Sequence, residues 1–440
     1  MALAGSAIGL GNIWRFPYMV GEYGGSAFIV VYIVATALVS LPVFVAEVMI
    51  GRRSGRNARQ ALAVLAPGKP FWNALGFLPV LIPLLIASYY SVIGGWSVEY
   101  FLDACSMKFV TTPPEEVGGL FGSFITSAWA PVVTHLVFLF LSVAIVAIGV
   151  QKGIEKFSKV SIPVLFVLII VIIFYALSLP GSGEGVRYLL QPDFSQVTPR
   201  TFAYAMGQSF YSLSLGMGII ITYGSYMKKS ESIFASSTAT AVSDLSFALL
   251  AGLAIMPAVF AAGIEPGAGP GLIFQSIPYT FCKMSAESPF LGTLVSAAFF
   301  LTIIVAAMTS CISLIEVGTA YLTERFGLRR PVAAFLLFFI CGGIGVLCSL
   351  SFGPLAGFTV FGKNLFDLFD WFASNILLLL MALLSVIFVG FVMKKEDVRD
   401  EFTNGGTLVR SSKVFGIFYF LIKWVAPVAL VLIFISNFIL

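Results

Sequence analysis

Apolar runs of roughly twenty residues recur along the whole chain, separated by short polar stretches, and this pattern predicts membrane-crossing helices. Eleven spans are expected, at about 1–20, 27–50, 73–102, 131–150, 158–179, 200–225, 235–262, 290–323, 331–350, 364–393 and 414–439. Residues 264–288, rich in Gly and Pro, are too polar to cross and are expected to form a re-entrant or lid-like outer loop. Two spans are interrupted. In the first, Gly5, Gly9 and Gly11 fall within seven residues, and each interior glycine costs a helix up to about 1 kcal/mol. In the sixth, Ser212-Leu213-Ser214-Leu215-Gly216-Met217-Gly218 is a second such stretch.

Irregular backbone at membrane depth is tolerated only where protein covers it or where it lines a cavity. The glycines alone are equally consistent with a close-packing face between helices. Asn12 and Arg15, just beyond them, add an amide and a cation at the same depth, and polar groups there mark pathways and binding sites. The two breaks stand five spans apart. That spacing predicts two five-helix halves related by inverted repetition, with a site at the midplane and an eleventh helix outside the repeat. The chain is thus expected to be one transmembrane domain over 1–440, with repeat one at about 1–180, repeat two at about 200–393 and the extra helix at about 414–439.

Composition sharpens this to an all-α polytopic membrane protein. Of 440 residues 59% are hydrophobic and 10% charged, with a mean hydropathy of +1.00, which excludes a soluble domain. The net charge of +4 lies in short loops and is no footprint for nucleic acid. Arg52, Arg53, Arg56, Arg59 and Lys69, then Lys152, Lys156 and Lys159, then Lys228 and Lys229, then Arg325, Arg329 and Arg330, then Lys394, Lys395, Arg399, Arg410 and Lys413 fall in alternate loops. The basic side is cytoplasmic. The N-terminus is therefore expected inside and the C-terminus outside, in a cell membrane such as a bacterial inner membrane. Residues 1–4 have no basic n-region or cleavage site, so no signal peptide is expected. A first half-helix of ordinary length calls for about ten further residues ahead of residue 1. His135 is the single histidine, and the five cysteines follow no pattern. Cys105 and Cys282 stand near expected outer loops and are a candidate pair.

Several motifs carry a resemblance. Residues 5–17, Gly-Gly-Ser-Ala-Phe (24–28), Gln-Lys-Gly-Ile-Glu-Lys-Phe-Ser-Lys (151–159), Gly-Gln-Ser-Phe-Tyr-Ser-Leu-Ser-Leu-Gly-Met-Gly (207–218) and Thr-Tyr-Gly-Ser-Tyr (222–226) occur in order. With them the chain resembles the neurotransmitter:sodium symporter family, specifically its bacterial eleven-span amino-acid transporters. The resemblance implies sodium-coupled import by alternating access. It places an amino-acid substrate against Ala7, Gly9, Leu10, Gly11, Ile86, Tyr90, Tyr211, Ser212, Ser214, Met217, Ser310 and Leu314. The backbone at Leu10 and Gly11 and the Tyr90 hydroxyl would receive its carboxylate, since a restarting helix presents free N–H groups to an anion.

At Gly9, amine-carrying relatives have an aspartate, so the substrate here must bring its own carboxylate. The largely apolar side-chain contacts point to a neutral hydrophobic or aromatic amino acid, and the flexible Met217 to broad selectivity. Two Na⁺ sites are implied: Ala7, Asn12, Ser212 and Asp244 for the first, and Gly5, Ile8, Ala306, Thr309 and Ser310 for the second. In chloride-dependent relatives an asparagine stands where this chain has Asp244, and Tyr32, Gln208 and Ser212 line the chloride site. A fixed carboxylate leads to the expectation that chloride is not needed.

Arg15 with Asp370 is the implied outer gate, and Asp367 an alternative partner. Glu324 is the acidic member of the inner gate, with Tyr226 and Ser225 beside it and the basic partner expected ahead of residue 1. Glu47 is expected to brace the break in the first span, while Glu316 is a buried acid with no assigned role. No Gly-x-x-x-x-Gly-Lys-Ser/Thr loop is present, so an ion gradient is the expected energy source. A non-transporting sensor or a channel of the same fold is the alternative. An intramembrane aspartyl protease using Asp367 and Asp370 is disfavoured, because their i, i+3 spacing puts both on one helix face. No enzyme activity is expected. The partners are the substrate and the lipid bilayer, with the chain a monomer or a weak homodimer.

Overall fold

The computed structural model describes residues 2–263, 266 and 272–439. Among them nine unbroken helical stretches are long and apolar enough to cross a membrane. These are Gly25–Ser54, Pro70–Cys105, Ala130–Ile148, Val150–Ser178, Ile233–Ala261, Pro289–Phe326, Arg330–Leu350, Leu365–Val392 and Val409–Ser436. The remaining two spans are the broken ones. The first consists of Ala2–Ala7, a π-turn at Gly11–Arg15 and Phe16–Glu22; the sixth consists of Pro199–Ser212 and Ile219–Ser225. The eleven spans expected from hydropathy are thus present, with ends shifted by a few residues.

Burial separates scaffold from periphery. The most apolar stretches of the third and eighth spans are each 72% buried, whereas that of the eleventh is 28% buried. The eighth span, Pro289–Phe326, has 38 residues and is about 57 Å long at the usual helical rise, longer than a bilayer core needs. Helix ends follow the local sequence. The Thr198 hydroxyl accepts from the Thr201 N–H ahead of Pro199 and opens the sixth span, and the Asn364 side chain accepts from the Asp367 N–H at the start of the tenth. Both are side-chain caps on otherwise orphaned donors.

The basic loops meet at one end of the molecule. Arg52 pairs with Glu401 and donates to the Glu231 carbonyl, joining loops 2–3, 6–7 and 10–11. Arg330, past loop 8–9, donates to the Val146 carbonyl at the end of the fourth span. Of the expected outer segment, 264–265 and 267–271 lie outside the described residues; the rest includes a helix, Ile277–Glu287. Cys105 is exposed, Cys282 buried, and both are free thiols, so the candidate pair is not formed. The two sit on different elements, and the charge and hydropathy pattern that placed both near outer loops does not fix their separation.

Candidate functional site

The first break opens at Ile8 and Gly9, between Ala2–Ala7 and the π-turn. Its freed groups are met by Asn12 of the same span and by side chains from three other spans. Asn12 folds back so that its Oδ1 accepts from the Gly9 N–H at 2.9 Å. The Leu10 N–H donates to the Tyr90 hydroxyl at 3.3 Å. Thr309 donates to the Ile8 carbonyl, and within hydrogen-bonding reach also to that of Ala306, at 2.8 Å each. Ser214 donates to the Ser6 carbonyl at 2.8 Å, and Gln208 Nε2 to that of Gly11 at 3.0 Å.

The second break is made differently. Ser214, Gly216 and Gly218 take positive φ of 55°, 75° and 70°, a region that glycine enters without penalty. A Cβ on Gly216 would lie 2.3 Å from the Leu378 carbonyl oxygen, and one on Gly218 2.0 Å from that of Pro79. The Gly216 N–H donates to Glu47 Oε1 at 3.0 Å, and Ser385 reaches the same oxygen at 3.3 Å. Glu47 therefore braces the sixth span and not the first, as the sequence reading had it: its helix packs against Ile219–Ser225, which brings the carboxyl to the second break.

Where the breaks face one another, Asn12, Ser212 and Asp244 form one buried knot. Asn12 Nδ2 lies 3.0 Å from Ser212 Oγ and 2.7 Å from Asp244 Oδ1. Ser212 Oγ stands 2.8 and 2.9 Å from the two Asp244 oxygens, and the Tyr32 hydroxyl is 3.4 Å from Asp244 Oδ2. A carboxylate, a hydroxyl and an amide carbonyl are hard oxygen donors of the kind an alkali cation takes. The Ile8 and Ala306 carbonyls with the Thr309 hydroxyl form a second, all-oxygen cluster. Ser310 lies against Gly9, while Gly5 lies against Ser158 of the fifth span.

Beside both clusters is a small cavity of about 20 Å³. It is lined by Ala7, Gly9, Gly11, Ile86, Tyr90, Tyr211, Ser212, Ser214, Met217, Ser310 and Leu314, together with Ser6 and Ile219, which the sequence reading missed. Leu10 contributes its N–H to Tyr90 instead of a wall. A Cβ at Gly9 would sit 2.0 Å from Ser310 Oγ, so no side chain, an aspartate included, fits there without displacing Ser310. Met217 and Leu314 are almost fully buried, and with Ile86 they make the apolar part of the wall.

Tyr211 also faces outward, where the Arg15 guanidinium carbon stands 4.6 Å from its ring centre. Asp370 accepts from Ser374 at 3.2 Å. Among the described residues the ion pairs within 4.0 Å do not include Arg15 with Asp370; the cation lies on the aromatic face instead. Asp367 is exposed and accepts from Asn364 Nδ2 at 2.8 Å as part of the helix cap. At the other end, Glu324 accepts from the Asn57 N–H and side-chain amide at 3.2 and 2.7 Å. Tyr226 donates not to Glu324 but to Glu316, at 2.9 Å, and Glu316 pairs with Arg330. That buried acid, left without a role by the sequence, thus ties the inner half of the sixth span to the eighth and ninth. The signal was there, an intramembrane acid fourteen positions before an arginine across a short loop.

Two discontinuous helices facing a small enclosed cavity define a secondary transporter of the inverted-repeat kind. The chain belongs to the sodium:neurotransmitter symporter family, whose model matches residues 1–112 and 125–440. It is 37% identical over 439 residues to an uncharacterized sodium-dependent transporter, YhdH, of Bacillus subtilis, covering 99% of this chain and 95% of that one. A sodium- and chloride-dependent taurine transporter of Rattus norvegicus is 25% identical, over 91% of this chain and 71% of its own. Among solved structures, MhsT in complex with L-phenylalanine superposes with a TM-score of 0.90 at 39% identity, covering 99% and 97% of the two chains. The protein is accordingly a sodium-dependent transporter with five-plus-five inverted-repeat architecture, and not an enzyme.

Proposed function

We propose that the chain imports a neutral, hydrophobic or aromatic L-amino acid by sodium symport, without a chloride requirement. The observation that carries the substrate class is the lining at Gly9: Ser310 Oγ stands where a side chain would begin, no carboxylate is among the lining residues to meet an amine, and the Leu10 N–H, which donates to the Tyr90 hydroxyl, lies with that hydroxyl at a restarting helix that suits a substrate carboxylate. The apolar wall of Ile86, Met217 and Leu314 takes the side chain. Similarity to MhsT, solved with L-phenylalanine, supports the same class.

In this reading the first Na⁺ is held by the Ala7 carbonyl, Asn12, Ser212 and Asp244, with the substrate carboxylate completing the shell, so ion and substrate share a contact. Asn12 would turn its Oδ1 from the Gly9 N–H to the ion. The second Na⁺ is held by the carbonyls of Gly5, Ile8 and Ala306 with Thr309 and Ser310. Asp244 supplies the fixed negative charge that chloride would otherwise bring, and Tyr32 and Gln208 remain as its polar surround. Arg15, with Tyr211 and Asp370, closes the outer path; Asn57–Glu324 and Tyr226–Glu316–Arg330 close the inner one. The basic-loop end faces the cytoplasm.

Counterflow of labelled L-phenylalanine in proteoliposomes tests this. Uptake is expected with sodium gluconate as with sodium chloride, and not with choline chloride. Uptake abolished by gluconate overturns the role given to Asp244; uptake indifferent to sodium overturns the whole reading.

A further inference from the structure

At the end of the molecule where the basic loops gather, the short helix Ala58–Leu65, the start of the third span and the end of the eighth border an open cleft of about 630 Å³. Three arginines line it: Arg56, Arg59 and Arg325. No acidic side chain is among its described lining residues. Arg59 is held in place, its Nη1 donating to Asn73 Oδ1 at 3.0 Å and its guanidinium carbon 4.0 Å above the Phe77 ring centre. Arg56 and Arg325 are exposed, and among the described residues neither is in an ion pair within 4.0 Å. The nearest acid in sequence, Glu324, is already engaged by Asn57.

The same cleft exposes large apolar groups. Val64, Phe77 and Phe326 are 51%, 55% and 60% exposed although they line the arginine cleft. Guanidinium groups bind an anion of phosphate geometry through paired N–H donors, and three of them line this one cleft. The exposed rings beside them would be costly in water and are at home against acyl chains. A basic pocket between helix ends at the membrane surface, with apolar walls, has the chemistry of an anionic phospholipid site.

We propose that this cleft binds the phosphodiester of an anionic phospholipid, with Arg56 and Arg325 gripping the headgroup, Arg59 held ready beside them, and Phe77, Val64 and Phe326 along the acyl chains. The bound headgroup bridges Arg56 and Arg325, each one residue from a member of the Asn57–Glu324 contact, and so reinforces the seam between loop 2–3 and the eighth span.

Native mass spectrometry of the purified protein tests this, with added phosphatidylglycerol, phosphatidylcholine of the same acyl chains, or inorganic phosphate. The wild type is expected to retain phosphatidylglycerol over phosphatidylcholine. The Arg56→Gln/Arg59→Gln/Arg325→Gln variant should bind it on the order of 100-fold more weakly, while Lys228→Gln, on another loop, leaves retention unchanged. The single variant Arg325→Gln, with its sodium-dependent thermal shift intact, separates lost binding from lost folding and should show a partial loss. Equal retention of the two lipids, or unaltered phosphatidylglycerol binding in the triple variant, overturns the proposal. So does inorganic phosphate that occupies the site and displaces the lipid at equal concentration, which would make the ligand a free anion.

Discussion

The two broken spans solve one physical problem in opposite ways. In the first, the orphaned backbone groups are met by side chains: Asn12, Tyr90, Thr309, Ser214 and Gln208 each reach one. In the second, the backbone itself is bent through left-handed conformations and wedged against the carbonyls of Leu378 and Pro79. Side-chain partners can be exchanged for an ion or a carboxylate at little cost, because the backbone need not move. A backbone packed against backbone cannot yield in this way. The first break is therefore the one that reads ligands, and the second is the fixed frame against which it reads them.

The sharpest way to break this contrast is Gly218→Ala. A left-handed non-glycine residue costs roughly 1–2 kcal/mol, and the added Cβ would lie 2.0 Å from the Pro79 oxygen, so the whole fold should suffer. The expected outcome is loss of the monodisperse protein or a large fall in Tm, with sodium and without. A variant that keeps its Tm and loses only sodium affinity would place the ligand-reading function in the wrong break.

Asp244→Ala should behave conversely. It removes the acceptor of the Asn12 and Ser212 bonds, and charged hydrogen bonds of this kind contribute about 1.5–3 kcal/mol each. Sodium affinity, followed by thermal shift in a sodium titration against choline, should fall by at least about tenfold while the protein stays folded. Asp244→Asn should restore binding only when chloride is supplied.

A smaller effect is expected at the brace of the second break. Glu47→Gln keeps an acceptor for the Gly216 N–H, whereas Glu47→Leu leaves that donor and Ser385 without it, at a cost of about 1–3 kcal/mol. Comparing the Tm of the two variants isolates that bond; equal values would show that Glu47 does not hold the second break.

The smallest is Ser214→Gly. It relieves the positive φ of 55° but gives up the bond to the Ser6 carbonyl. The two contributions are each about 1 kcal/mol and of opposite sign, so Tm should stay nearly constant.

Both breaks were legible in the sequence, because a continuous apolar helix has no use for clustered glycines or for an amide at its centre. Most residues of the cavity wall were legible too, through the resemblance, and the structure gathers them around one space with Ser6 and Ile219 added and Leu10 left out. What failed were pairings set by tertiary packing. Glu47 was expected at the first break and meets the sixth span instead, because nothing in its own helix tells which neighbour its carboxyl meets. Arg15 was expected on Asp370 and lies on the Tyr211 ring, where the π face attracts a cation. Glu316 found its arginine across a loop, and Cys105 and Cys282 found no pairing at all. Hydropathy fixes depth in the membrane, and rotation about each helix axis is left to side-chain packing.

The most direct test of the ligand-reading first break is equilibrium binding of labelled L-phenylalanine to purified wild type and Thr309→Ala, titrated with sodium against choline. The expected result is saturable binding in sodium only, with the sodium curve of the variant shifted to higher concentration while the variant remains folded in choline. Binding of equal affinity in choline, or a variant whose sodium curve overlays the wild type, would contradict the claim that the first break holds the ion.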